Sequence, residues 1–332
     1  MSIDSLLPIV FVFVMGLALL LYVILDGYDL GIGLLLPLAD DTQKELMIAT
    51  IGPFWDANET WIVFGVGVLL IAFPQAHGEV LTALYLPVTF MLMGLILRGV
   101  AFDFRVKAGD DKKVMWNRLF FVGSLIASVA QGWMLGRYIS GLENSADSYF
   151  FAALIGLTLP ALYVMLGAGW LLVKTEGALF DRALAWGRLA IWPMALALFL
   201  VSIATPMISD VIADRWFTLP NLIGLAPIPI FSLITLLLIY WLLRDSNPLI
   251  RTYHWAVFAA LVLICILAAI GLAYSIYPDI VIGRITIWEA AADAKSLKFV
   301  LVGVLITLPM ILVYTLFVYR IFKGKATELR YD

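Results

Sequence analysis

Asp26, Asp29, Asp56, Glu59, Arg98 and Asp103 stand in or beside long apolar runs of the chain. An ionised side chain at the centre of a bilayer costs about 2.5–3.5 kcal/mol on insertion scales. Six such groups within the first third of the sequence therefore need partners, water or a chemical task. The acids come in pairs. Asp26 and Asp29 are three apart in LDGYDLGIG (25–33), and Asp56 and Glu59 are three apart in PFWDANETW (53–61). A helix puts residues at that spacing on one face. A buried carboxylate without a partner takes up a proton, and closely spaced carboxyls that gain and lose protons can relay them. Arg98, in LRGVAFDFR (97–105), cannot neutralise itself. It must snorkel or pair, and Asp26 or Asp29 is the expected partner.

Each string also has a plainer reading. Asp26 and Asp29 can be solvated acids at a helix end, although Leu30 to Pro37 stays apolar beyond them. Pro53 can open a helix whose first-turn acids, Asp56 and Glu59, face the positive end of the helix dipole. Arg98 can simply snorkel, with Asp103 and Arg105 nearer the surface. Trp55 and Trp61 beside the second acid pair fit a membrane–water interface.

The elements that must position these groups are set by composition. Hydrophobic residues make up 63% of the 332 residues and charged residues 14%, against about 25% charged in a soluble domain. Mean hydropathy is +1.02. The chain reads as an all-α polytopic membrane protein. About nine runs are long enough to span: 6–35, 53–74, 78–102, 116–138, 149–173, 185–207, 219–243, 253–277 and 296–321. Turn signals separate them, among them Pro37, Gly52-Pro53, Pro74, Asn144-Ser145, Asn247-Pro248 and Pro278-Asp279. The first run lacks the basic start and cleavage site of a signal peptide, so it reads as a span. Basic residues gather after spans one, three, five, seven and nine (Lys44; Arg105 to Arg118; Lys174 to Arg188; Arg244 and Arg251; Arg320 to Arg330), while Arg137, Arg215, Arg284, Lys295 and Lys298 hold the other side. Positive charge stays in the cytoplasm, so the N-terminus is expected outside and the C-terminus inside. A faint internal echo (LDGYDLGIG with VKTEGALFDRA, LILRGVAFD with WLLRDSNP) suggests two four-helix units. Within a single integral-membrane domain, these would be 1–140 and 141–280, with the last span and a cytoplasmic tail at 281–332.

Other classes are disfavoured. A net charge of −3 and the absence of a basic run speak against a nucleic-acid partner. One cysteine, Cys265, rules out an internal disulfide and cysteine-rich metal sites. Only His77 and His254 are present, at opposite faces, so they cannot bracket one haem. No metal, nucleotide or nucleophile motif occurs, and catalytic residues are not expected in this chain.

In this order, the three strings resemble subunit II of the cytochrome bd ubiquinol oxidases, including the cyanide-insensitive branch. ITIWEAAADAKSL at 285–297 is a further piece. The resemblance implies two four-helix bundles plus one peripheral helix, joined to a haem-bearing subunit I that carries b-type and d-type haems and the quinol and oxygen chemistry. Quinol would be oxidised near the outer face of a bacterial cytoplasmic (inner) membrane. Cytoplasmic protons would be used to make water, separating charge without pumping. By motif match, Asp56 would help bring those protons toward the haems, with Asp26 and Arg98 in the same region and Asp29 and Glu59 as further proton carriers. Arg98 and Asp103 would be structural polar groups. Trp55 and Trp61 match positions near a structural quinone or the oxygen route in some relatives. Small single-span accessory subunits, lipids and quinone are the other implied partners. The loop after span six is shorter than in longer relatives, and Glu289 stands where some have Asp. Two rival readings rest on the same residues: a proton-coupled secondary transporter, and a purely structural membrane subunit.

Overall fold

A computed structural model describes residues 3–244 and 247–326. Arg330 of the terminal basic group, and Asp245 and Ser246 of WLLRDSNP, lie outside them. Among the described residues, nine helices are long and apolar enough to cross a membrane. Spans one to nine are Asp4–Leu38, Trp55–Ala72, Pro74–Lys107, Asp111–Ile139, Ala146–Lys174, Gly177–Ile208, Asn221–Leu242, Trp255–Ile276 and Ala294–Ile321. In lipid a chain can satisfy its backbone only internally, which makes each apolar run a helix. Several helices outrun their apolar stretch. Span three continues to Lys107, so Arg98, Asp103 and Arg105 share one helix. Pro74 opens that helix, and Ser145 caps span five by accepting from Ser148 N at 3.2 Å.

Several local elements have no counterpart in the apolar pattern, among them the short helices Asp210–Phe217 and Ile287–Ala290 and the two that follow. One is an antiparallel hairpin pairing Asp279–Val281 with Ile285–Thr286; it turns through Gly283 at φ +67, where a side chain would be strained. The other is a helix, Asp41–Ile51, after span one. Asp40 caps it by accepting from Gln43 N, and the Gln43 side chain returns to Asp40 N. Glu45 on this helix meets Arg105 and Lys113, each at 3.1 Å. That clamp ties the helix to the end of span three and the start of span four.

Span one lies at the centre, against spans two, four and five. Lipid tails are as apolar as leucine, so helices in a bilayer associate through close packing and polar contacts. At Gly31 the approach is closest. A β-carbon there would sit 1.7 Å from the Tyr163 carbonyl oxygen of span five, and one at Gly167 would sit 2.6 Å from the Gly31 carbonyl carbon. Beside this seam Tyr28 stacks on Trp170 at 4.2 Å, and Phe54 meets Trp170 edge-on at 5.4 Å and Tyr319 at 4.6 Å. Spans one, five and nine and the entrance to span two converge on these rings.

Gly31→Ala should destabilise the solubilised protein by about 1–3 kcal/mol or more, because backbone rather than a movable side chain blocks the methyl. Gly67→Ala, where nothing lies within 4 Å, should leave the melting temperature unchanged. Equal effects at the two sites would contradict the packing. Glu45 gives a pH test. Burial disfavours its charge, but Arg105 and Lys113 outweigh that and hold the carboxyl below its usual range. A depressed acid stabilises the fold above its unfolded pKa, about 4.3, and the contribution is lost as pH falls through the folded value. Glu45→Gln should melt earlier than wild type at neutral pH, with the gap closing below about pH 4. A gap that persists in acid would show that packing, not charge, holds this helix.

Candidate functional site

Helical periodicity sorts the residues at the start of span two. Asn58 and Trp61 point inward and are fully buried, Glu59 sits at the flank with 29% of its side chain exposed, and Asp56 faces outward from this chain. On span one, Asp26 and Asp29 are fully buried despite their charge. On span three, Arg98 and Arg105 are seven residues apart, share a face and are both 2% exposed. Glycine places Arg98. Gly94 and Gly123 bring spans three and four so close that a β-carbon on either would lie 2.7 Å from the other's carbonyl oxygen.

Arg98 is the hub. Its Nη1 lies 2.6 Å from Asp26 Oδ1, and its Nη2 donates to Glu59 Oε2 at 3.4 Å. Asp26 is held by this ion pair, and its Oδ2 has no hydrogen-bond partner among the described residues. Asp29 is held differently: Asn58 Nδ2 donates to its Oδ2 at 2.9 Å. One guanidinium thus faces Asp26, Asp29 and Glu59 inside the bundle. With every acid ionised, the cluster would carry excess negative charge where charge is costly.

Neutral polar groups extend the cluster in two directions. The Tyr22 hydroxyl, beside Asp26, accepts from Gln131 Nε2 at 2.7 Å, and Gln131 Oε1 accepts from the Tyr163 hydroxyl at 2.5 Å. Around Asn58, Nδ2 also donates to the Tyr28 hydroxyl at 2.7 Å and Oδ1 accepts from the Tyr319 hydroxyl at 2.9 Å; the two tyrosine oxygens are 2.6 Å apart. Amide and hydroxyl chains of this kind can pass hydrogen bonds between spans one, two, four, five and nine. Ile51, Trp55, Phe102 and Phe120 pack around Asp29 and Arg98, and the space between them is too small for a water molecule.

The structure therefore gathers Asp26, Asp29, Glu59 and Arg98 into one cluster, with Asp56 one helical turn before Glu59 on the outer surface. Asp103 is exposed, away from Arg98. Trp55 packs on Phe102 at 5.2 Å. Trp61 is buried against Ala18 and Tyr22, and its indole N–H has no acceptor among the described residues. Tyr22, Tyr28, Gln131, Tyr163 and Tyr319 were not singled out from sequence. The amide of Gln131, isolated in an apolar span, was the available signal. Arg105, expected nearer the surface, is instead buried, and its Nε donates to Asn117 Oδ1 at 2.5 Å. The two histidines occupy different ends of the fold: His77 is in the first turn of span three, and His254 precedes span eight against Phe180.

A family model described as cytochrome bd terminal oxidase subunit II matches residues 7–322. The chain is similar to the cytochrome bd-I ubiquinol oxidase subunit 2 of Escherichia coli (strain K12), with 24% identity over 357 residues, 94% of this chain and 93% of that protein. It is also similar to the cytochrome bd ubiquinol oxidase subunit 2 of Bacillus subtilis (strain 168), with 33% identity over 172 residues, 48% of this chain and 51% of that protein. Among solved structures, a chain of the bd oxidase from Geobacillus thermodenitrificans matches with a TM-score of 0.78, covering 95% of this chain and 98% of that chain at 20% identity. At that identity the likeness speaks for the fold.

Replacing Arg98 with Leu leaves Asp26 buried without its counter-ion, which should cost about 3–5 kcal/mol. Asp26→Leu combined with Arg98→Leu should recover much of that loss, since no lone charge remains. Thermal unfolding of the four members of the cycle reads the coupling. Simply additive losses would contradict the ion pair.

Proposed function

The chain belongs to the cytochrome bd terminal oxidase subunit II family, and on that premise we propose that it collects protons for the reduction of oxygen in the haem-bearing partner subunit. As a subunit of a quinol-oxidising complex in a bacterial inner membrane, it would stand with its basic loops in the cytoplasm and its N-terminus outside. Asp56 then faces outward at the end of span two nearest those loops. The haems, when bound in the partner, supply electron transfer and oxygen reduction. The residues of this chain contribute charge and exchangeable protons.

The observation that carries this reading is the ladder from surface to interior. Exposed Asp56 precedes half-buried Glu59 by one turn; Glu59 meets Arg98; Arg98 meets buried Asp26; and Tyr22, Gln131 and Tyr163 continue from Asp26. Asp56 takes a proton from water. Glu59 accepts it as the next carboxyl on the same face. Arg98, always charged, holds the negative charge of whichever carboxylate is empty. Because one cation serves several acids, a proton can sit on any of them while the cluster's total charge changes by one. Asp29, fixed by Asn58, is a second resting place.

In the assembled oxidase, Asp56→Asn should slow oxygen consumption by about a hundredfold or more, the range for a lost proton-transfer group, while the haem spectrum keeps its amplitude. Glu59→Gln should behave likewise. Wild-type turnover in both variants would remove the proton role. Loss of the haem spectrum together with turnover would favour the purely structural reading, which the buried Asp26–Arg98 pair also supports. Gentle solubilisation should bring down a partner with visible haem absorption; isolation of this chain alone would point instead to the transporter reading.

A further inference from the structure

We propose that residues 322–326, which follow span nine, form a strap that shuts the interior hydrogen-bond network off from water on the side of the basic loops. Two lysines seat the strap on the end of span five. Lys174, the last residue of span five, donates its Nζ to the Phe322 carbonyl and, at 2.6 Å, to the Gly324 carbonyl. Lys325 reaches the other way and donates to the Val173 and Thr175 carbonyls at 3.0 and 3.1 Å. The Ala326 N–H completes the join by donating to the Lys174 carbonyl at 2.8 Å. The last carbonyls of a helix have no partner within it, and cations are favoured beside them. Spans five and nine exchange their cations here, so each end is satisfied only while the strap is docked.

Burial of Lys174 makes the seat more than a surface contact. Lys174 is 4% exposed. Among the described residues its ammonium group meets the two strap carbonyls and the rings of Phe54 and Trp170, whose centroids lie at 5.2 and 5.7 Å. A buried cation must be bonded, and the strap supplies both acceptors. The rings beside Lys174 lead inward. Phe54 lies 6.1 Å from the Phe322 ring on one side and 4.6 Å from the Tyr319 ring on the other. The Tyr319 hydroxyl donates to Asn58, and Asn58 donates to Asp29. From the basic-loop side inward, the order is strap, Lys174, Phe54, Tyr319, Asn58 and Asp29. Displacing the strap removes the acceptors of Lys174 and uncovers Phe54, the layer in front of the tyrosines. In the proton-uptake reading, on which the role of this seal rests, a docked strap keeps water from reaching Asp29 except by way of Asp56 and Glu59.

The test is hydroxyl-radical footprinting of the assembled oxidase in lipid nanodiscs, with peptide mass spectrometry reading oxidation of Phe54 and Tyr319. Both rings should be protected in the wild type. Lys325→Gln changes an exposed residue and leaves Lys174 in place. It should raise oxidation of both rings about tenfold, the gain in open strap from losing one charge-assisted hydrogen bond. Lys174→Met should raise it further. Tyr163, buried deeper on span five, should stay protected in both variants. The proposal fails if neither variant changes Phe54 or Tyr319, or if wild type already oxidises them freely. It also fails if Tyr163 rises in step, because the whole bundle has then loosened. Wild-type turnover of Glu59→Gln would end the proton reading and leave the footprint unaffected, whereas an unchanged footprint ends the strap whatever the turnover.

Discussion

A guanidinium that keeps its charge is buried in the apolar interior of this bundle, and the site follows from that constraint. Arg98 is 2% exposed and lies 2.6 Å from Asp26. Removing either partner strands the other in a medium that cannot solvate it. The pair therefore couples spans one and three, and Glu59 adds span two to the same contact. Arg105, one heptad later on span three, repeats the arrangement nearer the surface with Glu45 and Asn117. Two buried arginines on one helix face, each answered by an acid from a different element, give that helix a fixed rotation.

Polar contacts of this kind need accurate placement, and close backbone packing provides it. Gly94 against Gly123 sets spans three and four, and Gly31 against Gly167 sets spans one and five. At those distances a helix can neither roll nor slide without collision. The aromatic cluster of Tyr28, Phe54, Trp170 and Tyr319 closes the same region, and Asn58 threads it with hydrogen bonds to both tyrosines. In the proposed role, fixed geometry with surplus acid would let protons move without the helices moving, with Arg98 sharing its attraction among the carboxyls.

Much of this was legible in the sequence, for identifiable reasons. Apolar runs long enough to span admit only helices, so the number and order of spans followed from hydropathy. Charged residues inside such runs are costly enough to mark a site, which drew attention to Asp26, Asp29, Glu59 and Arg98. Long-range partners were harder. Asn58 bonds to groups 29 and 261 residues away, and nothing local announces Tyr319. The two acid pairs look alike in sequence, yet burial falls on Asp26 and Asp29 while Asp56 faces outward from this chain. Helical phase explains the difference: Asn58 and Trp61 take the inward positions, and Asp56 takes the opposite side. The helix Asp41–Ile51 and the short hairpin escaped because neither carries a long apolar run.

The central claim is that carboxyls around Arg98 change protonation as the oxidase turns over. Redox-difference infrared spectroscopy of the assembled complex observes this directly, through the carbonyl stretch of protonated carboxyl groups. The account predicts a carboxyl band that appears on cycling between reduced and oxidised enzyme, shifts in heavy water, and is lost or displaced in Asp26→Asn or Glu59→Gln. A wild-type spectrum with no carboxyl change, or a band that both substitutions leave untouched, would contradict it.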